Sequence, residues 1–330
     1  MTYGVLLPHF GPKANAQLLL RSTQRMEQLG YDAVWVRDHL VFHPHGFEDP
    51  DLTHMEPFVV LAALAGVTKK ITLGTATLIP HRHPIHTALL IGTLDKFSGP
   101  DRIVIGMGLG FSDSEFAAIG MKDWDRRKVV PQQVDVMRRL WSGEHVSFES
   151  EFYKFDDVAI EPVPGPNRKI PIWYGGGTKA SVRRAVKYCD GWIPGRMPAR
   201  DAKVFIDLLL AMSEKAGRAS RPLAAMIPYV SPAKTVEEGA KFFNTEELHA
   251  VLATRFMPPP SGRFETLEDF DGAVIAGPPD VIVENVRKFQ AIGVEHFVFD
   301  FRTRFDRFEE CVDMVGTQVL PLLHRGDGRT

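Results

Sequence analysis

The 330 residues, 44% of them hydrophobic, supply a core large enough for two ordinary domains or one α/β barrel. Lys and Arg number 39 against 41 Asp and Glu, a formal charge of −2, and no basic run reaches five residues, which excludes nucleic acid or an anionic membrane surface as the main partner. Cys189 and Cys311 form no CxxC pair, the N-terminus runs straight into YGVLLP without a leader pattern, and no apolar run reaches ~18 residues, so a cytoplasmic protein acting on a small molecule is expected.

Tyr3 to Leu7 reads as a short apolar strand stopped by Pro8-His9. From Asn15, residues Leu18, Leu19, Met26 and Leu29 keep helical spacing, and Gly30 is placed to end the helix. A second strand over 32–37 contains AVWV and closes on Arg37-Asp38-His39. The long connection VFHPHGFEDPDLTHMEP follows, rich in His, Pro and acids. A helix over 56–68 then leads into ITLGTATLIP, a β-branched strand over 71–79. After the turn carrying Pro80, Arg82, His83 and Pro84 come an apolar helix over 84–98 and a strand over 102–108 that breaks into glycines. Two apolar strands joined through a helix imply a parallel pair buried on both faces, because a crossover is what parallel strands need.

Further on, the pattern predicts a helix over 126–141 and a hairpin within 143–169, made of HVSFES and FYKFDDVAI. Strands follow at 170–174 and 191–194, with helices at 178–189 and 200–216, and another strand at 224–230. The third long connection, 232–279, is read as a helix over 235–253 plus the loop RFMPPPSGRF. A helix over 280–292, a strand over 295–300 and a terminal helix near 306–322 complete the chain. RKFQAIGVEHFVFDF can be laid over QRMEQLGYDAVWVRD with Gly293 on Gly30, so one helix–glycine–strand unit recurs at both ends. Eight strands alternating with helices predict a single (β/α)₈ TIM-barrel domain over 1–330, with insertions after strands 2, 4 and 7.

On such a barrel ligands sit at the carboxyl ends of the strands. Asp38 and His39 end the second strand, and an imidazole beside a carboxylate suits proton transfer to a substrate oxygen; a histidine that merely caps a loop is the alternative. HRHPIH offers His81, His83 and His86, with Asp300 as a further ligand. Metal-dependent barrel enzymes, however, carry HxH on the first strand and Lys or His on the fifth and sixth, which IPIWYGGG and GWIPGR lack, so no metal is expected. Gly106, Gly108 and Gly110 are not a dinucleotide fingerprint, since the third glycine would have to stand at Phe111; their use is close backbone approach to a flat ligand. Gly175, Gly176 and Gly177 precede Thr178 where a helix starts, an arrangement that binds phosphate or simply makes a flexible turn. RMEQ, RRLW and DWDRRK read as solvated helix faces, a phosphate contact by Arg126 and Arg127 being the alternative. Trp35, Trp141, Trp173 and Trp192 read as core.

GVLLP, YDAVWVRDHL, ITLGTATL, RHPIHTALLIGTLDKFSGPDRIVIGMGLG, SEFAAIG, IPIWYGGGTKASVRRAVKYCDGWIP and AGPPDVIVENVRKFQAIGVEHFVFDF stand in order along nearly the whole chain. In these segments the chain resembles the bacterial luciferase-like flavin and deazaflavin oxidoreductases; residues 232–275 lie outside the likeness. The resemblance implies a flavin-type oxidoreductase holding its ring against Thr75, Ala76 and Thr77 and beside Gly108, Leu109, Gly110 and Phe111, with the phosphate at Gly175, Gly176, Gly177 and Thr178. It also implies a bulge in strand three with a non-prolyl cis peptide at Ala76–Thr77. Asp-His after strand two is similar to the branch that uses coenzyme F420, with His39 beside the reactive ring carbon and Asp38 orienting it. The activity so implied is hydride transfer between the deazaflavin and a small organic substrate. Two alternatives stay open: an FMN-dependent monooxygenase using reduced flavin and O₂, and a non-catalytic flavin-binding barrel. A homodimer is the assembly the family commonly uses. His43, His45, His54, Met55 and the RFMPPPSGRF loop are candidates to line the substrate pocket.

Overall fold

The computed structural model describes residues 1–41, 54–164 and 168–326. Among the described residues twelve strands appear in chain order: β1 (Thr2–Leu6), β2 (Ala33–Val36), β3 (Thr72–Leu78), β4 (Ile103–Met107), β5 (Val146–Glu149), β6 (Lys154–Val158), β7 (Ile172–Gly175), β8 (Gly191–Ile193), β9 (Leu223–Met226), β10 (Tyr229–Pro232), β11 (Val274–Gly277) and β12 (His296–Phe299). Eight of them close a parallel barrel in the order β1-β2-β3-β4-β7-β8-β9-β12, with β12 returning to β1. All eight strands expected from the sequence are in it.

Helices cover the outside, and the first shows how local signals set their ends. Ala16–Leu29 begins at Asn15, whose side chain accepts from the Leu18 N–H, and ends at Gly30 in the left-handed region (φ 85°). Inside the barrel a separate apolar cluster is built on Trp35 and Trp173, whose rings lie 5.0 Å apart. Gly4, Gly74 and Gly191 make room for these indoles; a Cβ at Gly4 would lie 2.7 Å from Trp35 Nε1. All four tryptophans read as core are buried.

Four elements depart from the expected pattern. The strand foreseen over 224–230 splits at Pro228 into barrel strand β9 and β10, because proline cannot donate to a ladder. β10 then pairs in parallel with β11, which lies in the connection read as strandless. The helix foreseen over 235–253 is two helices, Val236–Ala240 and Thr245–Leu252, the second restarted by Asn244, whose side chain accepts from the Glu247 N–H. The terminal helix starts at Phe308, is preceded by a 3₁₀ turn at Arg302–Arg307 and contains a π turn at Val315–Val319. The hairpin after β4 is present as antiparallel β5 and β6. Among the described residues no helix is long and apolar enough to cross a membrane.

Candidate active site

The carboxyl ends of the barrel strands surround a cleft of about 660 Å³. Its back wall is the bulge of β3: the β3–β4 register shifts between Thr75 and Leu78, and the Ala76–Thr77 peptide is cis, as the family likeness implied. Ala76 and Thr77 line the cleft, as do Gly108, Leu109, Gly110 and Phe111 beyond β4 and Gly175, Gly176 and Thr178 beyond β7. A Cβ at Gly108 would lie 2.5 Å from Thr77 Oγ1, and one at Gly175 would lie 2.7 Å from Thr77 Cγ2. Glycine at both positions makes room for the Thr77 side chain on the wall.

Two residues expected at this wall stand elsewhere. Thr75 is wholly buried and donates its hydroxyl to the Gly106 carbonyl (3.0 Å), so it holds the bulge from behind. Gly177 packs under Met197 and the ring of Phe256 and does not line the cleft.

His39 lines the cleft, and its Nδ1 lies 3.2 Å from both carboxylate oxygens of Glu115; the side chains are 9% and 0% exposed. Burial alone would push the Glu115 carboxyl up. The His39 contact and the backbone N–H groups of Leu40 and Val41 outweigh it and hold the carboxyl below its ordinary range. An ionised carboxylate only accepts, so Nδ1 carries the proton of this pair.

The partner expected for His39 was Asp38, and the geometry corrects this. Asp38 accepts two bonds from Arg82 (2.6 and 2.9 Å) and one from the Ile79 N–H (3.0 Å), tying β2 to the turn after β3. Successive side chains of an extended chain point to opposite sides, so neighbours in sequence diverge in space. Glu115 comes instead from the short helix Asp113–Ala118 beyond β4. The signal for it was present: an acid in the first turn of a helix at a strand's carboxyl end, within SEFAAIG.

The His-rich turn is scaffold. Arg82 bridges Asp38 and Glu56, and the His83 ring accepts from the Ile85 N–H to cap the helix Pro84–Ser98. His54 stacks on Phe10 at 5.1 Å and lies 5.0 Å from the His39 ring, which places it beside the cleft. His43 and His45 lie outside the described residues. Arg126 is held by Asp113 and sits over the Phe116 ring at 4.5 Å, and Arg127 is held by Asp125.

Sequence reasoning missed the arginines of the cleft. Arg37, Arg196 and Arg302 line one part of it, with Arg302 bound to buried Asp300 (2.7 Å) and Arg196 lying 3.7 Å from Asp300 and 4.0 Å over the Tyr229 ring. Burial lowers the Arg196 guanidinium from its ordinary value. At the glycine turn the helix Lys179–Tyr188 starts with a reciprocal cap, in which Thr178 Oγ1 accepts from the Ser181 N–H (3.1 Å) and Ser181 Oγ accepts from the Thr178 N–H (3.0 Å). Arg184, on this helix, and Arg255, from the insertion after β9, also line the cleft.

Comparison with known proteins agrees with this geometry. A glucose-6-phosphate dehydrogenase of Nakamurella multipartita, named F420-dependent, is 28% identical over 97% of this chain and 95% of its own. An F420-dependent hydroxymycolic acid dehydrogenase of Mycobacterium tuberculosis is 29% identical over 65% of this chain and 58% of its own. The solved coenzyme F420-dependent tetrahydromethanopterin reductase of Methanopyrus kandleri superposes with a TM-score of 0.78 at 20% identity, covering 97% of this chain and 98% of that one. A family model described as luciferase-like monooxygenase matches residues 1–296, and the chain therefore belongs to the luciferase-like monooxygenase family.

Proposed function

We propose that the protein is an F420-dependent oxidoreductase that moves a hydride between the deazaflavin and a small organic substrate. The observation that carries this reading is the buried His39–Glu115 pair on the same cleft as the flat glycine wall. The relatives named as F420-dependent dehydrogenases support it.

The residues present fit the cofactor. The bulge residues Ala76 and Thr77, with the side-chain-free Gly108 and Gly175 packed against Thr77, suit a planar ring, with Leu109, Gly110 and Phe111 at its flank. Gly175, Gly176 and Thr178, backed by Arg184, suit a phosphate. When bound, F420 supplies a ring carbon that accepts or gives a hydride. The chain supplies the proton. With Nδ1 engaged by Glu115, Nε2 of His39 takes the hydroxyl proton of an alcohol substrate and, in the reverse direction, returns it to the carbonyl oxygen. Glu115 keeps the imidazole in that tautomer and supports the imidazolium that forms. Asp38 is a positioning residue, acting through Arg82 and the Ile79 turn.

Titration of the protein with F420 and with FMN, followed by cofactor fluorescence, tests the reading. Saturable binding of F420, tighter than that of FMN, is expected. Tight FMN binding with no measurable F420 binding would overturn it in favour of oxygen insertion on a flavin.

A further inference from the structure

We infer that the insertion after β9 completes the cofactor site, with Arg255 and Arg184 clamping the anionic tail of the cofactor. The inference rests on the F420 reading above. It assigns a role to residues 232–275, which none of the segments that carried the sequence likeness includes but which the family model spans.

Arg255 follows the helix Thr245–Leu252, far from the barrel strands in sequence, yet it lines the cleft together with Val251. Its neighbours fasten it there. Phe256 lies against Gly177 of the phosphate turn, 3.8 Å from where a Cβ on that glycine would stand. Met257 donates its N–H to Asp201 Oδ1 (3.1 Å), and its carbonyl accepts from Arg200 (3.3 Å), both on the helix Ala199–Lys215. Three consecutive residues thus press on the turn, grip the barrel and turn one guanidinium toward the cleft.

The company of that guanidinium points to an anion. Nearby Arg200 and Arg263 are paired with Asp271 and Glu246. Arg184 has the Tyr174 ring 5.9 Å away, and among the described residues no carboxylate holds either Arg184 or Arg255. Two cations that line one cleft with the glycine turn, neither held by an acid among the described residues, are placed for a ligand carrying more than one negative group. FMN ends at a single phosphate, which the glycine turn and Arg184 suffice to hold. F420 continues past its phosphodiester into a chain of glutamyl carboxylates, and a second guanidinium reaching over the turn suits that continuation. The clamp therefore contributes to choosing between cofactors as well as to affinity.

The test compares F420 with its tail-less deazaflavin nucleoside core in fluorescence titrations of the wild-type protein, Arg255→Gln, Arg184→Gln and Arg255→Lys. For Arg255→Gln the expected result is about tenfold weaker F420 binding, with the core unaffected, as for loss of one charge-assisted contact. That difference should shrink in high salt and be largely recovered by Arg255→Lys. F420 affinity that is unchanged in Arg255→Gln, or F420 and core weakened alike, would overturn the clamp while leaving the cofactor reading intact. Failure of the wild-type protein to bind F420 would remove both.

Discussion

His39 and His296 are both buried imidazoles, but they stand at opposite ends of the barrel and differ in what faces them. At the amino end, His296 Nε2 accepts from Trp35 Nε1 (2.9 Å), and its Nδ1 lies 2.7 Å from Thr2 Oγ1. An indole N–H aimed at the ring excludes the imidazolium, and burial pushes His296 down to about 3. At the carboxyl end a carboxylate, not a donor, faces His39 Nδ1. The arginines follow the same division. Arg102, near the amino end, spends its guanidinium on the carbonyls of Thr68, Ile71 and Ser98, closing two helix ends. Arg184 and Arg255 instead line the cleft. The barrel thus keeps its satisfied polar groups where it needs stability and its ligand-facing ones where it needs chemistry.

The largest test of this division is Trp35→Ala. Removing the indole empties the barrel interior and takes the donor from His296, so a loss of about 3–5 kcal/mol in urea unfolding is expected; a loss below about 1 kcal/mol would break the contrast. Next comes His39→Ala, for which turnover should fall about 10²-fold or more while F420 affinity stays within about tenfold and the unfolding midpoint holds. An unchanged rate would remove His39 from the chemistry. A smaller effect comes from acid. His296 titrates at about 3 folded against an ordinary 6.5, so below 6.5 the unfolded chain binds the extra proton. Stability from this residue is therefore complete above 6.5 and lost as pH falls toward 3, by about 2 kcal/mol at pH 5. His9, lowered to about 4 by burial, adds a step of the same sign. Unfolding of His296→Asn across this range should be flatter than wild type, and parallel curves would show that His296 is not the group responsible.

Much of the fold was legible in order and period. Asn15 and Gly30 bracket a helix, the β-branched runs mark buried strands, and the repeat of one unit at both ends points to closure. The glycine wall was legible too, since runs such as MGLG and YGGG have few uses at strand ends other than close approach. The partner of His39 was not. Adjacency suggested Asp38, whereas the carboxylate that reaches the ring lies 76 positions away, on another loop. β11 was missed because four residues between glycines carry no period of their own, and only β10 beside them makes them a strand.

The sequence by itself determined the barrel, its eight strands and the face on which a ligand sits, because local propensity, capping and hydrophobic period act over a few residues each. Only the tertiary structure decided which side chains meet on that face. The pairing of His39 with Glu115 and the arrival of Arg255 at the cleft depend on loops from different strands converging, and no local signal encodes which of them will touch.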